Sequence, residues 1–215
     1  MPIKIDNGVL EQVKSELEKL EGKVKVLAFF TEAKECKYCN QVVELAEIVA
    51  DLSDKITVEP NNCEITSEKA AKYGIDKYPA LLIHGRAPYK IRFFGIPAGY
   101  EFRALVSAIV DASRGTPILT PETQERLFEI TQNVHIQVFV TPSCPYCVSV
   151  VRMAHQFAIM NSHITADMIE VIEFRDLAQQ YKVKSVPKII INDKIKVEGA
   201  IPEERFLAKI LEAIG

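Results

Sequence analysis

The sequence predicts an α/β protein built from two copies of one unit, each with a mixed central sheet flanked by helices. The Cys-x-x-Cys motif occurs twice, and its first cysteines, Cys36 and Cys144, are 108 residues apart. The prolines Pro79 and Pro187 have the same separation. Both motifs follow an apolar segment of strand composition and precede a segment with helical apolar spacing. A tandem repeat is therefore expected.

The elements are predicted in the same order in both copies. A lysine- and glutamate-rich helix, from Glu11 to Lys23 with apolar residues at Leu10, Val13, Leu17 and Leu20, precedes the first strand, and Pro121 starts its counterpart. Branched and aromatic residues then predict buried strands over 24–30 and 134–140. Each motif leads into a helix with one apolar face, followed by a second strand near Ile56 or Ile164.

The remaining elements of each copy are a short helix, a hairpin and a closing helix. The short helix ends near Tyr73 or Tyr181, and the repeated prolines open strands at 80–84 and 188–191. Gly95 aligns with Gly199 once a shorter hairpin is allowed in the second copy. The turn-rich stretch at 113–117 has the composition of a boundary. We predict an N-terminal unit over 1–115 and a C-terminal unit over 116–215.

The composition excludes several classes of protein. The chain of 215 residues is 48% hydrophobic and 26% charged, as expected of a folded globular protein. Its first residues lack the pattern of a signal peptide, and no apolar run approaches the roughly 18 residues of a membrane span. We therefore expect a cytoplasmic protein without membrane contact. The net charge of −3 gives no basic patch for nucleic acid.

The paired cysteines indicate thiol-disulfide exchange. This reaction needs one thiolate that attacks and a second thiol that resolves the mixed disulfide. If each pair opens a helix, the first cysteine lies beside free N–H groups that favour its thiolate. We assign attack to Cys36 and Cys144, and resolution to Cys39 and Cys147. A zinc site made by the two pairs is the alternative, but a whole unit separates them, and no metal is expected.

The repeated prolines predict a second part of each site. A trans proline at the start of a strand is the simpler interpretation. A cis peptide would turn the backbone of the preceding residue, Tyr78 or Val186, outward. If Pro79 and Pro187 lie against the cysteine pairs, that backbone can bind an extended substrate strand.

These motifs resemble the thioredoxin superfamily. Tyr73-Gly74-Ile75 followed by Pro79-Ala80-Leu81-Leu82 is similar to thioredoxin, whereas Cys144-Pro145-Tyr146-Cys147 is the glutaredoxin form. As a whole, the chain resembles the glutaredoxin-like protein disulfide oxidoreductases of hyperthermophiles. The resemblance implies two tandem thioredoxin-fold units, and reduction, oxidation and isomerisation of protein disulfides. It also implies redox-active disulfides as the only prosthetic chemistry, and electrons from an NADPH-dependent flavoprotein similar to thioredoxin reductase.

The chain departs from the family pattern in two places. Phe29 and Phe139 occupy the position of the buried acid of thioredoxins, so the proton acceptor for the resolving cysteines is unassigned. Gly199-Ala200-Ile201-Pro202 replaces the turn with which glutaredoxins hold glutathione, so glutathione is not the expected reductant.

The two sites are expected to differ in reactivity. Glu35 disfavours the Cys36 thiolate and Lys37 favours it, whereas Cys144 has the neutral neighbours Ser143 and Pro145. We predict that Cys144 reacts faster. Tyr38 and Tyr146 are predicted to shape the rim of each site, although a plain helix-surface role is open for both.

The fifth cysteine and the histidines are assigned structural roles. Cys63 aligns with Val171 and is interpreted as a small buried side chain. The four histidines show no ligand or triad spacing and are given surface or packing roles.

Two rival functions remain. Tandem thioredoxin folds also resemble the front part of hydroperoxide reductases, which suggests a dedicated electron relay from a flavoprotein to a peroxidase such as a peroxiredoxin. A chaperone-like peptide-binding module with incidental cysteines is the alternative of another class.

Overall fold

The computed structural model describes residues 3–32 and 36–215, and shows the same element order twice. The first run is α1 (Asn7–Leu17), β1 (Val24–Phe30), α2 (Cys39–Ala50), β2 (Ile56–Asn62), α3 (Glu68–Tyr73), β3 (Ala80–His84), β4 (Ile91–Phe94) and α4 (Tyr100–Arg114). The second run is α5 (Pro121–Phe128), β5 (Val134–Val140), α6 (Cys147–Met160), β6 (Ile164–Glu170), α7 (Arg175–Gln180), β7 (Lys188–Ile191), β8 (Ile195–Glu198) and α8 (Glu203–Ile214). The predicted strands at 24–30 and 134–140 are confirmed at both ends.

The predicted extent of the first helix is wrong. The helix ends at Leu17, and the N–H of Glu18 caps it through the carbonyls of Lys14 and Glu16. The chain then turns through a hydrogen bond from Leu20 N to Leu17 O, 3.1 Å long. Leu20 is nevertheless buried at 3% exposure. Its apolar side chain therefore fits the helical spacing although its backbone lies in a turn.

All eight strands of the described residues form one sheet, in the order β2-β1-β3-β4-β6-β5-β7-β8. The two units meet where β4 pairs in parallel with β6. Strand β3 is antiparallel to both β1 and β4, and β5 is parallel to β6, so β1 and β5 point the same way. Both cysteine motifs, which follow β1 and β5, therefore lie at the same edge of one continuous sheet.

The helices cover both faces of this sheet unequally. On one face, a large core joins α1, α2, α4, α5, α6 and α8 to the sheet, with Leu105, Phe157 and Phe206 among its fully buried side chains. On the other face, a smaller core centred on Phe29 and Phe139 packs against α3 and α7. No helix within the described ranges is both long and apolar enough to cross a membrane.

Charged side chains also join the two units. Arg92 on β4 binds Asp167 on β6, and Asp167 is fully buried. His135 Nε2 lies 2.6 Å from the second oxygen of Asp167. On the helical face, Asp111 of α4 accepts two hydrogen bonds of 2.8 Å from Arg152 of α6. Both groups of charges bridge the predicted boundary, so they stabilise the joint rather than either unit alone.

Candidate active site

Each cysteine motif forms a disulfide at the start of a helix. Cys36 is bonded to Cys39, and Cys144 to Cys147, with 5.5 Å between the Cα atoms in both pairs. The sequence predicted that each cysteine pair opens a helix. The helices α2 and α6 instead begin at the second cysteine of the pair, one turn later. The first cysteine thus lies just ahead of the helix N-terminus, where free N–H groups favour a thiolate.

The attacking and resolving positions differ in burial. Cys39 and Cys147 are 2% and 1% exposed, and the N–H of Thr31 donates to Cys39 Sγ over 3.3 Å. Cys36 is half-buried, whereas Cys144 is 8% exposed. This burial of Cys144 opposes the faster reaction that the sequence predicts for it. The order of reactivity stays a prediction, and Glu35, which entered it, lies outside the described residues. At both sites, the cysteine assigned to attack is the more exposed residue of the pair.

Both repeated prolines follow cis peptides, Tyr78-Pro79 and Val186-Pro187, as the sequence suggested. The next residues begin β3 and β7, where Ala80 pairs with Phe29 and Lys188 pairs with Phe139. Each proline therefore lies beside the strand end that leads into its cysteine motif. The role of the two cis peptides, Tyr78-Pro79 and Val186-Pro187, in substrate binding stays a prediction.

The glycines after the hairpins confirm the alignment of Gly95 with Gly199. Both have positive φ, 94° and 81°. The N–H of Gly95 donates to Pro79 O over 3.0 Å, and that of Gly199 donates to Pro187 O over 2.8 Å. The same backbone contact therefore supports the proline of each site.

Cys63 is linked to the proline loop of the N-terminal site. The hydroxyl of Tyr78 donates to Cys63 O over 2.7 Å and lies 3.4 Å from Cys63 Sγ. Burial, with the hydrogen bond that the Tyr78 hydroxyl donates to Cys63, raises the pKa of Tyr78. Cys63 is half-buried, so the prediction of a buried side chain is wrong. It follows β2, which is the outermost strand on this side of the described sheet.

The predicted rim residues flank the disulfides. Lys37 is exposed, and its ammonium lies 4.9 Å from the ring centre of Tyr38. Tyr38 and Tyr146 occupy the N-cap positions of α2 and α6. Tyr146 is 71% exposed, and its neighbour Pro145 is also exposed. The C-terminal site therefore presents an aromatic surface to solvent.

A buried glutamate near the C-terminal site was not identified from the sequence. Glu101 lies in the first turn of α4, next to Tyr100, whose N–H donates to Pro142 O over 2.9 Å. Glu101 is 2% exposed, and neither carboxyl oxygen has a hydrogen-bond partner in the described structure. Burial, with the charges of Glu170 and Glu173, raises its pKa to about 9. In the sequence, it resembles an ordinary first-turn acid.

Glu170 and Glu173 complete a group of three carboxyls between the two sites. Glu170 accepts hydrogen bonds from the N–H groups of Ile172 and Glu173, at 3.0 and 2.7 Å. Glu173 accepts one from Ile96 N at 2.7 Å, across the joint of the units. Burial raises the pKa of Glu173 to about 7, helped by the charge of Glu170. We call these three residues the glutamate group.

The positions of the missing thioredoxin acid are apolar in three dimensions as well. Phe29 and Phe139 are fully buried. Their rings lie 5.5 Å from Tyr73 and 5.4 Å from Tyr181, so the two units repeat the same aromatic pair. No acid is available at these strand positions.

The structure does not support the zinc alternative, because the four motif sulfurs are paired two by two. Among the described side chains, no group of three or more His, Cys, Asp or Glu residues could hold a metal ion. His155 is buried against the ring of Phe93, 4.8 Å away, which is a packing role. His135 contacts the buried Asp167, as described above.

The sheet order, the two helix-capping disulfides and the paired cis prolines define a thiol-disulfide oxidoreductase of tandem thioredoxin fold. The family match agrees with this class: residues 134–212 match the thioredoxin domain. A protein disulfide oxidoreductase from Aeropyrum pernix superposes with a TM-score of 0.89 and 29% identity, over 97% of this chain and 93% of that one. The fold class and the stated resemblance are confirmed.

Alkyl hydroperoxide reductases are similar as well. The N-terminal domain of AhpF, an alkyl hydroperoxide reductase component of Enterococcus faecalis, gives a TM-score of 0.89 at 25% identity, covering 96% of this chain and all of that one. The corresponding alkyl hydroperoxide reductase component of Pseudomonas aeruginosa is 25% identical over 206 residues. The chain spans 37% of the length of that relative, and 37% of a Ferdinandcohnia aciditolerans protein named NADH dehydrogenase, which is 28% identical.

Proposed function

We propose that the chain reduces, oxidises and isomerises protein disulfides through both cysteine pairs. One observation carries the proposal: at each site, a disulfide at a helix N-terminus lies at the sheet edge beside a cis proline. This arrangement supplies an activated thiolate, a resolving thiol and a backbone edge for an extended substrate.

The proposed reduction of a substrate disulfide conserves two electrons. The Cys36 or Cys144 thiolate attacks one substrate sulfur, and the substrate S–S bond breaks to release a thiolate that takes up a proton. Cys39 or Cys147 then loses its proton and attacks the mixed disulfide, which frees the second substrate thiol. The substrate gains two electrons and two protons, and the cysteine pair becomes a disulfide.

The residues around the sulfurs have supporting roles in the proposal. The backbones at Tyr78-Pro79 and Val186-Pro187 bind the substrate strand. Lys37 and Tyr38, with Pro145 and Tyr146, form the surfaces that the substrate contacts first. Lys37, Pro145 and Tyr146 are exposed, Tyr38 is half-buried, and all four lie next to the cysteines, which supports these roles.

Glu101 is proposed as the proton acceptor for Cys147. Its carboxyl is buried without a hydrogen-bond partner in the described structure, and α4 begins against Pro142, two residues before Cys144. The raised pKa keeps the carboxyl protonated at neutral pH, so it first donates its proton to the Cys147 thiolate that forms when the C-terminal disulfide is reduced. The ionised carboxylate then takes this proton back when Cys147 attacks the mixed disulfide. The proposal gives Glu101 the role that the sequence left unassigned at the C-terminal site.

The wider setting follows the resemblance. Electrons come from an NADPH-dependent flavoprotein similar to thioredoxin reductase, the redox-active disulfides need no added cofactor, and the protein acts in the cytoplasm. The units divide at 115/116, just after the glycine that caps α4.

The electron relay to a peroxidase is the second candidate. The similarity to alkyl hydroperoxide reductases over nearly the whole chain favours it. Purified protein separates the two functions when it is given either insulin and dithiothreitol or a flavoprotein reductase, a peroxiredoxin and peroxide. General oxidoreductase function predicts insulin reduction that is lost in the double variant Cys36→Ser, Cys144→Ser. Turnover only with the peroxiredoxin would favour the relay. Wild-type turbidity in the double variant would contradict the main proposal. Absence of activity of the wild type in both assays would favour the chaperone-like alternative.

A further inference from the structure

A short loop precedes the cis proline of each site. We call residues 74–79 and 182–187 the cis-proline loops. Gly74 and Lys182, which begin them, have positive φ, 65° and 54°, and occupy the same position of the repeat. Both lie just after a short helix, and the N–H of the next residue donates back into that helix, over 2.9 Å in the first unit and 2.8 Å in the second. The same turn therefore leads into both loops.

Hydrogen bonds hold the two ends of each loop. The second ends are the carbonyls of Pro79 and Pro187, which accept the N–H groups of the glycines described above. The residues in between, 76–78 and 184–186, make no backbone–backbone hydrogen bond within the described ranges. A substrate strand needs such unused N–H and C=O groups, because it binds through main-chain hydrogen bonds. The position of this backbone therefore depends on how the two ends are held.

A buried cation holds the first end of the C-terminal loop. Lys188 follows the cis proline, and its side chain is 6% exposed. Its ammonium donates to Lys182 O over 2.9 Å and to Glu198 Oε1 over 3.2 Å. Glu198 precedes Gly199, whose N–H holds Pro187 O. Lys188 therefore connects the first end of the loop to the segment that holds its second end.

Arg92 makes the corresponding contact in the N-terminal unit. It lies on β4, three residues before Gly95, and its guanidinium donates to Gly74 O. The same guanidinium is bound to the buried Asp167 of the second unit. The first end of this loop is thus held from the joint, whereas Lys188 acts within its own unit.

The two cations occupy different positions of the repeat. Ala80 stands at the position of Lys188, because both pair with the matching phenylalanine of the preceding strand. The exposed Lys196 stands at the position of Arg92, three residues before its glycine. Each unit therefore supplies a cation to the same carbonyl from a different strand. A residue that only packed the repeated core would stand at the same position in both units, so this recurrence points to a need of the loop itself.

We propose that Lys188 and Arg92 are positioning residues for substrate binding: each holds the first end of its cis-proline loop, so that the unbonded backbone is preorganised for an extended peptide. The inference rests on the substrate binding proposed above for these backbones. The N-terminal loop has a further attachment, from the Tyr78 hydroxyl to Cys63 O, that Val186 cannot provide. Loss of the cation should therefore weaken binding more at the C-terminal site.

Single-turnover reduction of a peptide disulfide tests the C-terminal site by itself. The reduced variant Cys36→Ser, Cys39→Ser is mixed with increasing peptide concentrations, and the observed rates give a half-saturation concentration and a limiting rate. Adding Lys188→Met, which removes the donor, should raise the half-saturation concentration about tenfold and change the limiting rate by less than about twofold, because a loop that is not preorganised weakens binding and not the chemistry. Lys188→Arg keeps the charge and the donors, and should stay within about threefold of the parent.

Amide hydrogen exchange reports the state of the loop without any turnover. The N–H of Val183 is bonded to Ala178 O at the first end of the C-terminal loop. Lys188→Met should speed its exchange about tenfold and leave the amides of β5 as protected as in the parent. Lys188→Gln, whose amide nitrogen is one atom nearer the backbone, serves both measurements if the methionine variant does not fold.

The same kinetics in the variant Cys144→Ser, Cys147→Ser test Arg92. Arg92→Lys keeps a cation for Asp167, but an ammonium lacks the planar fork that reaches Asp167 and Gly74 O together. The half-saturation concentration at the N-terminal site should rise about threefold, since the Tyr78 hydroxyl still holds this loop.

The matched control is Lys196→Gln, which removes an exposed ammonium from the hairpin next to Lys188 and should leave the C-terminal half-saturation concentration within about twofold of the parent. The proposal is wrong if Lys188→Met keeps the parent half-saturation concentration, if only its limiting rate falls, or if Val183 exchanges as in the parent. If the parent shows no saturable reduction of the peptide, the proposed substrate binding fails, and the exchange of Val183 still decides whether Lys188 holds the loop.

Discussion

Arg92 donates two hydrogen bonds to Asp167 across the joint of the two units, from Nε over 2.6 Å and from Nη2 over 2.8 Å. A third donor group of the same guanidinium binds Gly74 O, which ties the end of α3 to the joint. Burial opposes ionisation of Asp167, but the charge of Arg92 and the contacts with Arg92 and His135 outweigh it and lower its pKa to about 2.

Asp167→Asn should destabilise the protein by about 3–5 kcal/mol at pH 7, because it leaves the Arg92 charge buried without its partner. The ordinary pKa of an aspartate lies above the folded value, so this stabilisation is present above about pH 4 and is lost as the pH falls toward 2. Denaturant unfolding measures the change. Glu59→Gln, at the equivalent repeat position, is partly exposed and should change stability by less than about 0.5 kcal/mol. Equal effects of the two variants would contradict the prediction.

His155 should make the protein sensitive to mild acid. Burial lowers its pKa to about 4, and neither ring nitrogen has a hydrogen-bond partner among the described residues. The unfolded chain takes up the proton near pH 6.5, so stability falls between about pH 6.5 and 4, by about 3 kcal/mol.

His155→Leu should remove most of this acid-dependent loss, which unfolding free energies measured at pH 7, 5.5 and 4.5 would show. The exposed His163→Gln is the control and should follow the wild-type curve. An unchanged slope in His155→Leu would assign the acid sensitivity to other groups.

Glu101→Gln should slow the chemistry and stabilise the fold. The loss of a positioned proton acceptor should slow resolution by Cys147 about a hundredfold. This step is followed by release of thionitrobenzoate from Cys144 in the variant Cys36→Ser, Cys39→Ser. The folded protein holds the Glu101 proton up to about pH 9, whereas the unfolded chain releases it near 4.5. Stability is therefore lost as the pH rises between these values.

The amide should accordingly add up to about 3 kcal/mol at pH 7. Glu204→Gln is the matched control, because it changes an exposed first-turn glutamate of α8. A faster or unchanged resolving step in Glu101→Gln would remove Glu101 from the proposed mechanism.

Gly95→Ala should cost more stability than Gly199→Ala, although both replace a glycine of positive φ at the same repeat position. The backbone penalty of about 1–2 kcal/mol is common to both. At Gly95, the new Cβ would also lie 2.8 Å from Glu170 Cβ, whereas no atom of the described residues would lie within 4 Å of a Cβ at Gly199. We expect a further 1–3 kcal/mol or so from this overpacking. Chemical denaturation of both variants measures the difference. Equal losses of unfolding free energy would show that the side chains of the glutamate group move aside at little energetic cost.

The repeated parts of the fold could be predicted because each of their features occurs twice in the sequence. Strands β1 and β5, the cysteine pairs and the prolines agree with the sequence, since strand composition and a fixed offset support each other. The repeat distance of 108 residues does not, however, indicate how the two units pair with each other. Asp167 aligns with Glu59, yet one is buried between strands and the other lies on edge strand β2. Their different surroundings depend on the pairing of β4 with β6.

The burial of Glu101 could not be predicted from the sequence for the same reason. An acid in the first turn of a helix is a common stabilising choice, and its local sequence gives no sign of burial. It becomes buried only when the start of α4 packs against Pro142 of the other unit. Contacts between the copies therefore have to be observed, whereas contacts within each copy could be read from the repeat.

If both sites bind substrate as proposed, the continuous sheet makes the molecule bivalent. Strands β1 and β5 are four strand positions apart in one sheet, which separates their ends by about 19 Å at the usual spacing. An extended peptide of about six residues has this length. For a polypeptide bound at one disulfide site, binding at the other site is then an intramolecular step. The length of the peptide segment between the two bound parts, rather than the substrate concentration in solution, controls this second step.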